Sequence, residues 1–451
     1  MDSDGPQDTE RVQGGLTLEL GSVQTCEDPA QAAWSRGDAL GRNDHAGPDG
    51  GSAVVEDIDG DGDLDIIATW DLDTVLHVWR NTDDGFVEER VFAQEPWQLS
   101  RVPEGWVSGG PRPTRYDLEF NVLGTLDAPE KGVVREAAWV EGVGLLLALT
   151  SPDGPQHQVD FVVDGEPLED EGLASQHAFD ILVFDHDGDG DQDAYIVNDD
   201  PQSGRNVLWH QEDGRLVATD IAPLRMSGMG GDVADLNGDG LPDLYLSAAA
   251  RNVLLVANPD RTYTDVTFSW HAEVLIGQGS MAWGSVFWDA DNDGDLDLMV
   301  AEGDFGGDHN LGLGPQPLSL QVNQGSEFLG EVWDEGYFRG VVPIDMNDDG
   351  VLDLVVSSAF DGPRLWLSEG CTENSWLRVE GPTGARVEVT TDAGTQTFWI
   401  SSDSGFGSAK RAQAHIGTGS ATTASVRVSV DDLWVEETVD TRRVVKVSVD
   451  P

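Results

Sequence analysis

Along the chain, apolar residues come in short runs separated by polar, glycine-rich punctuation. SAVVE at 52–56 precedes an acidic segment and IIATW at 66–70 follows it, while SVFW at 285–288 and LMVA at 298–301 frame another. β-branched and aromatic residues dominate these flanks, as expected of half-buried strands. Further on, VLHVWRNTDDGF, NVLWHQEDGRL, NVLLVANPDRTY and LSLQVNQGSEF each carry an apolar strand into Asn, Asp and Gly residues that accept left-handed backbone angles. The pattern predicts strand-turn-strand units, and 54 glycines leave little room for long helices.

The acidic punctuation repeats. Five segments obey D-x-[DN]-x-[DN]-G-x-x-D: DIDGDGDLD at 57–65, DHDGDGDQD at 185–193, DLNGDGLPD at 235–243, DADNDGDLD at 289–297 and DMNDDGVLD at 345–353. From Asp185 onward they start 50, 54 and 56 residues apart, a period that fits one four-stranded propeller blade per repeat. The first interval, 128 residues, has room for a blade whose loop has lost its carboxylates, and AAWVEGVGLLLALTSPDG at 137–154 reads as that blade. It is expected to bind no metal. Residues 91–133 fit either an insertion or part of a further blade.

Calcium takes six to eight hard oxygen ligands at about 2.3–2.6 Å, and a loop supplies them by turning alternate positions inward. Positions 1, 3, 5 and 9, with the carbonyl of position 7, meet that need. The candidate ligands are Asp57, Asp59, Asp61, Asp63 and Asp65 in loop 1, and Asp185, Asp187, Asp189, Asp191 and Asp193 in loop 2. Loop 3 offers Asp235, Asn237, Asp239, Leu241 and Asp243; loop 4 offers Asp289, Asp291, Asp293, Asp295 and Asp297. Loop 5 offers Asp345, Asn347, Asp349, Val351 and Asp353. The glycine at position 6 permits the sharp turn. An EF-hand would place a bidentate Glu at position 12, where these loops carry Ala68, Ile196, Leu246, Val300 and Val356, residues suited to a buried strand. Magnesium prefers a tight octahedron with retained waters and zinc prefers His or Cys, so Ca²⁺, about five ions, is the expected cofactor. Loops 3 and 5, where Asn replaces a carboxylate, are expected to bind most weakly.

Charge supports a cationic ligand. The chain carries 84 acidic against 25 basic residues, a formal charge of −59, which disfavours nucleic acid and anionic membranes as partners. The five loops alone hold 22 aspartates, so five Ca²⁺ ions would neutralise ten charges where crowding is worst. At 39% hydrophobic with 15 Trp, the chain has the means to fold. No apolar run is long enough to span a bilayer. The opening MDSDGPQDTE reads as a polar leader left after removal of a secretory signal. Two cysteines far apart, Cys26 and Cys371, allow one disulfide or two unrelated thiols.

The loops and their flanks resemble FG-GAP or VCBS repeats, the blades of integrin-α-type propellers. From Glu373 the repeat stops, and NSWLRVEG, GARVEV, SGFGS and AHIGTG follow in the order of the ASPIC/UnbV domain of the cartilage acidic protein family. The resemblance implies an all-β chain: a β-propeller of about seven blades, one degenerate, followed by a small C-terminal β-domain. The expected divisions are a flexible leader at 1–15, a calcium-binding propeller at 16–371 and an ASPIC/UnbV-like domain at 372–451. The seventh blade must come from the region 91–133 or from the chain ends. Ring closure would bring the regions of Cys26 and Cys371 together, and a disulfide clasping the propeller is the expectation.

Known members of the family are extracellular or periplasmic, which implies a secreted or cell-surface protein, expected to be a monomer. The function expected is an extracellular binding or adhesion module whose partner is a protein, a matrix polymer or a glycan, with calcium in a structural role. A lectin-like propeller is the alternative, invited by the tryptophans, although Trp79, Trp209, Trp288 and Trp366 lie in strand-like stretches where blade packing is the default. A propeller hydrolase or lyase is the less favoured reading. The sequence shows no G-x-S-x-G elbow, H-E-x-x-H helix or Cys/His nucleophile pair, so no catalytic residues are assigned. His186, at an outward loop position, is expected in solvent, and His415 is expected to serve a turn or packing role.

Overall fold

The computed structural model describes residues 11–13, 16–26, 30–41, 51–69, 75–92, 96–126, 132–150, 162–163, 166–167, 177–199, 205–273, 280–304, 311–368, 370–403, 405–430 and 433–449. Every regular element among them is a β-strand. Seven antiparallel four-stranded sheets follow one another and pack side by side, from the second round to the first through their first strands. The first strands are Ala53–Glu56, Leu99–Val102, Val133–Val140, Ala178–Phe184, Gly228–Ala234, Ala282–Trp288 and Phe338–Ile344, and they define blades 1 to 7. The arrangement is a seven-bladed propeller, in accord with the all-β expectation.

Blade 2, spanning 99–125, comes from the region the repeat did not cover. Blade 3 begins with the hairpin Val133–Val140 and Gly144–Thr150, whose tight turn carries no acidic loop; residues 151–154 of the segment singled out in the sequence lie outside the described residues. Blade 7 takes only three strands from the end of the propeller. Its outermost strand is Trp34–Ala39, paired antiparallel with Arg364–Ser368, so the N-terminal segment closes the ring. Cys26 and Cys371 are joined in a disulfide beside this closure, with Cα atoms 5.9 Å apart.

Between neighbouring blades, apolar residues from facing sheets interdigitate. Val286, Met299, Leu318, Val341, Leu354 and Trp366 form one such cluster between blades 6 and 7. Trp79, Trp209, Trp288 and Trp366 are all buried, in keeping with a packing role.

The C-terminal segment forms a β-sandwich around its own core, which includes Leu377, Val387, Ile416, Val426 and Val445. The expectation of a flexible leader over 1–15 needs correction here. Arg11–Gln13 pairs with Leu433–Asp440, and Leu16–Leu20 pairs with Arg443–Val449, so both N-terminal strands complete the sandwich and do not belong to the propeller. The period-2 alternation of LTLEL, with Leu16 buried and Thr17 exposed, turns one apolar face of the strand into the core of the sandwich. Residues 1–10 lie outside the described residues.

The sandwich sits on the face of the propeller that bears the acidic loops, and it sends a hairpin into the central channel. Ala409 and Lys410 pair in parallel with Val54 and Val55 of blade 1, making one continuous hydrogen-bonded sheet from cap to blade. At the tip, Phe406 is fully buried among Phe179, Met229, Met281 and Trp283 from blades 4, 5 and 6. The tip has glycine on both sides for steric reasons. Gly405 (φ 62°) and Gly407 (φ 59°) adopt left-handed conformations, and a Cβ on Gly407 would stand 2.4 Å from the side chain of Gln98.

Candidate metal centre

All five acidic loops join the first and second strands of a blade, and the same hydrogen bonds recur in each. The position-1 carboxylate accepts the backbone N–H of the position-6 glycine: Gly62 to Asp57, Gly190 to Asp185, Gly240 to Asp235, Gly294 to Asp289 and Gly350 to Asp345, at 2.9–3.2 Å. The position-5 carboxylate accepts the N–H of position 7. These turns fold the chain so that alternate side chains converge. Positions 4 and 6 both need positive φ. Gly60, Gly188, Gly238, Asn292 (59°) and Asp348 (55°) occupy position 4, a requirement the sequence motif left open.

Position 9 has a second task. In loop 1, Asp65 accepts the N–H of Ile58 at the loop's start and the N–H of Asn81 after the third strand, at 3.2 and 2.8 Å. Asp193, Asp243, Asp297 and Asp353 repeat the pattern, so each buried carboxylate staples its loop to the rest of its blade. A charge-assisted bond of this kind contributes about 1.5–3 kcal/mol.

The donor sets fit a hard cation. One carboxylate oxygen from each of Asp57, Asp59 and Asp61 lies within 4.8 Å of the others, and the same holds for Asp185, Asp187 and Asp193 and for Asp289, Asp291 and Asp293. These are loops 1, 2 and 4. Loops 3 and 5 lack such a carboxylate trio because Asn237 and Asn347 stand at position 3. In loop 5 the guanidinium of Arg378 also lies 3.6 Å from Asp345 and 2.9 Å from Asp348.

Burial makes these carboxylates costly to ionise by themselves. Asp289 is pushed well above the usual range by desolvation and by Asp293 and Asp297. Desolvation likewise pushes Asp243, Asp297 and Asp345 up to about 7, and Asp193 and Asp353 up to about 6. A divalent ion among them would favour the charged forms.

The cap contacts four of the five loops. Asn374 Nδ2 donates to the carbonyl of Asp291 at 3.0 Å, and the N–H of Gly419 donates to the carbonyl of Asn292 at 2.9 Å. Gly384 closes on Gln192 of loop 2, and Arg386 approaches Gly240 of loop 3. Loop 5 is held by Arg378. Nothing in the spacing of the motifs places the C-terminal domain on the acidic loops.

Two histidine expectations meet the structure differently. His186 is buried and not solvated: its ring stacks on Tyr263 at 5.5 Å, lies 5.2 Å from His210, and is pushed down to about 4 by burial, then by His210 and Arg261. Tyr263 comes from blade 5, a long-range partner that loop spacing does not reveal. His415 has the packing role expected, stacked on Trp376 at 5.6 Å.

Beneath the cap, Glu136 of blade 3 and Asp180 of blade 4 share a buried hydrogen bond next to Asp403 of the hairpin. Desolvation, then Asp180, raises Glu136 well above the ordinary carboxylate range. Asp180 accepts the N–H groups of Gly231 and Phe406, so the pair anchors the hairpin tip.

Residues 185–246 match the FG-GAP-like repeat family and residues 382–448 match the ASPIC and UnbV family. No curated protein matches the chain. Among solved structures, BBS1N in complex with ARL6DN is similar at 12% identity over 76% of this chain and 99% of that one, with a TM-score of 0.46. A putative 6-phosphogluconolactonase from Bacteroides fragilis is similar at 14% identity over 73% of this chain and 98% of that one, with a TM-score of 0.39. Likenesses at this level carry no further argument. The chain is thus a seven-bladed β-propeller with an FG-GAP-like repeat at 185–246, capped by a domain that matches ASPIC and UnbV over 382–448.

Proposed function

We propose that this protein is an extracellular binding module in which calcium rigidifies the acidic loops and thereby the seat of the cap. The observation that carries the reading is the convergence of three carboxylates in each of loops 1, 2 and 4, with all-oxygen donor sets. Asp57, Asp59, Asp61 and Asp65 would hold the ion in loop 1, with the equivalent residues in the other loops, and the ion's role is structural. The Cys26–Cys371 disulfide supports an oxidising compartment. Among the described residues no helix is long and apolar enough to cross a membrane. The partner is an extracellular protein, a matrix polymer or a glycan.

Binding is favoured over catalysis because the cap's hairpin enters the central channel and packs Phe406 against blades 4, 5 and 6, where a propeller enzyme of the kind considered would hold its substrate. The test is a pull-down from native extracellular fluid in millimolar calcium, with release by chelator. Partners retained equally in calcium and in chelator would contradict the reading.

A further inference from the structure

Between the cap and the first strands of blades 1 to 5 lies a cavity of about 540 Å³, within the range of small-ligand sites. Its lining includes Glu136 and Asp403, Trp139 and Trp399, and Thr383, Ser401 and Ser402. Both domains build it.

Six carboxylates, those of Glu56, Glu136, Glu141, Asp185, Asp232 and Asp403, line this cavity beside two arginines, Arg101 and Arg411. Arg101 donates through Nη1 to the carbonyls of Val102 and Gly105, at 2.7 and 2.9 Å. Arg411 lies between Glu56 and Glu380, at 3.6 and 3.7 Å. Asp232 faces the buried Lys410, and Glu136 shares its hydrogen bond with Asp180. The arginines are therefore engaged with protein oxygens and outnumbered by carboxylates, which disfavours a sulfate, phosphate or carboxylate ligand. Beside carboxylates, which accept hydrogen bonds from hydroxyls, the cavity offers a ligand Thr383, Ser401 and Ser402, the Gln192 amide and aromatic surface. Trp139 is 37% exposed, with its Nε1 held by Glu141 at 3.1 Å, so the ring is fixed while remaining accessible.

We infer that this cavity binds the end of a neutral saccharide, whose C–H face packs on an indole while its hydroxyls meet the polar wall. The inference rests on the binding-module reading and names the ligand class for one site.

The test uses the full chain in calcium against immobilised neutral oligosaccharides ending in hexoses or N-acetylhexosamines, beside sulfated counterparts, with hits titrated by tryptophan fluorescence. Saturable binding to a neutral glycan is expected, weakened at least tenfold by Trp139→Ala and abolished by Thr383→Trp, which fills the cavity. Melting curves confirm that both variants fold. Absence of neutral-glycan binding, binding to sulfated chains alone, or binding untouched by both variants would overturn the inference. A protein that melts higher in calcium and still ignores every neutral glycan defeats this inference alone; a melt indifferent to calcium defeats the broader reading instead.

Discussion

His415 Nε2 lies 3.0 Å from Asn292 Oδ1, a side-chain bond that joins the contacts of Asn374 and Gly419 with the loop backbone in tying the cap to the fourth acidic loop. Asn292 in turn donates its amide to the carbonyl of Gly350 at 2.8 Å, so one side chain connects loop 4, loop 5 and the cap. Because the Asn oxygen accepts, the imidazole donates through Nε2. Burial, then Arg378 and Lys410, pushes His415 down to about 3, so the ring is neutral in the fold.

That arrangement predicts acid sensitivity. A histidine with a folded pKa below its unfolded value, about 6.5, contributes stability that is complete above that value and lost as pH falls below it. The melting temperature of wild type should therefore drop more between pH 7 and pH 5 than that of His415→Gln. Parallel melting curves across this range check it; equal slopes would count against the buried neutral ring. His186, pushed down to about 4, adds a similar component to both proteins, which the comparison removes.

The buried carboxyl pair predicts the opposite trend on the alkaline side. Glu136 is raised by desolvation first and by Asp180 second. An acid with a raised folded pKa contributes most below its unfolded value, about 4.5, and loses that contribution as pH rises through the folded value. Glu136→Gln keeps a donor toward Asp180 without the titration, so the variant's stability should decline less than wild type from pH 5 upward. Urea melts at several pH values measure it.

The hairpin tip predicts a packing penalty. Phe406→Ala empties a site formed by three blades and should cost about 3–5 kcal/mol by denaturant unfolding. Gly407→Ala should also destabilise, through a left-handed φ and the contact with Gln98, by about 1–3 kcal/mol. A neutral result for both would mean that the hairpin does not occupy the channel in solution.

Much of the propeller was legible because its loops repeat in a local, backbone-driven motif. Asp57 to Asp65 declare one blade without reference to any other residue. Blades 2 and 3 were obscure because no carboxylates mark their first hairpins, and blade 3 was readable only from its apolar stretches around 137–150. The N-terminal strands were missed because Leu16–Leu20 finds its partner more than 400 residues away, at Arg443–Val449. The SGFGS segment was legible as a family mark but not as a plug, since its role depends on Phe179, Met229 and Trp283 lining the space it enters. Within the loops, the convergence of alternate carboxylates followed from spacing, whereas the second duty of Asp65 and its equivalents needs the third strand to be in place.

The central claim is that divalent ions hold the acidic loops and the cap above them. Thermal unfolding of chelated protein, titrated with Ca²⁺ to millimolar concentration while bound metal is counted, tests it most directly. The account predicts saturable binding that fills loops 1, 2 and 4 first and raises the melting temperature by several degrees, because the ion binds the folded state preferentially. An identical melt in calcium and in excess chelator, with no metal retained, would contradict it.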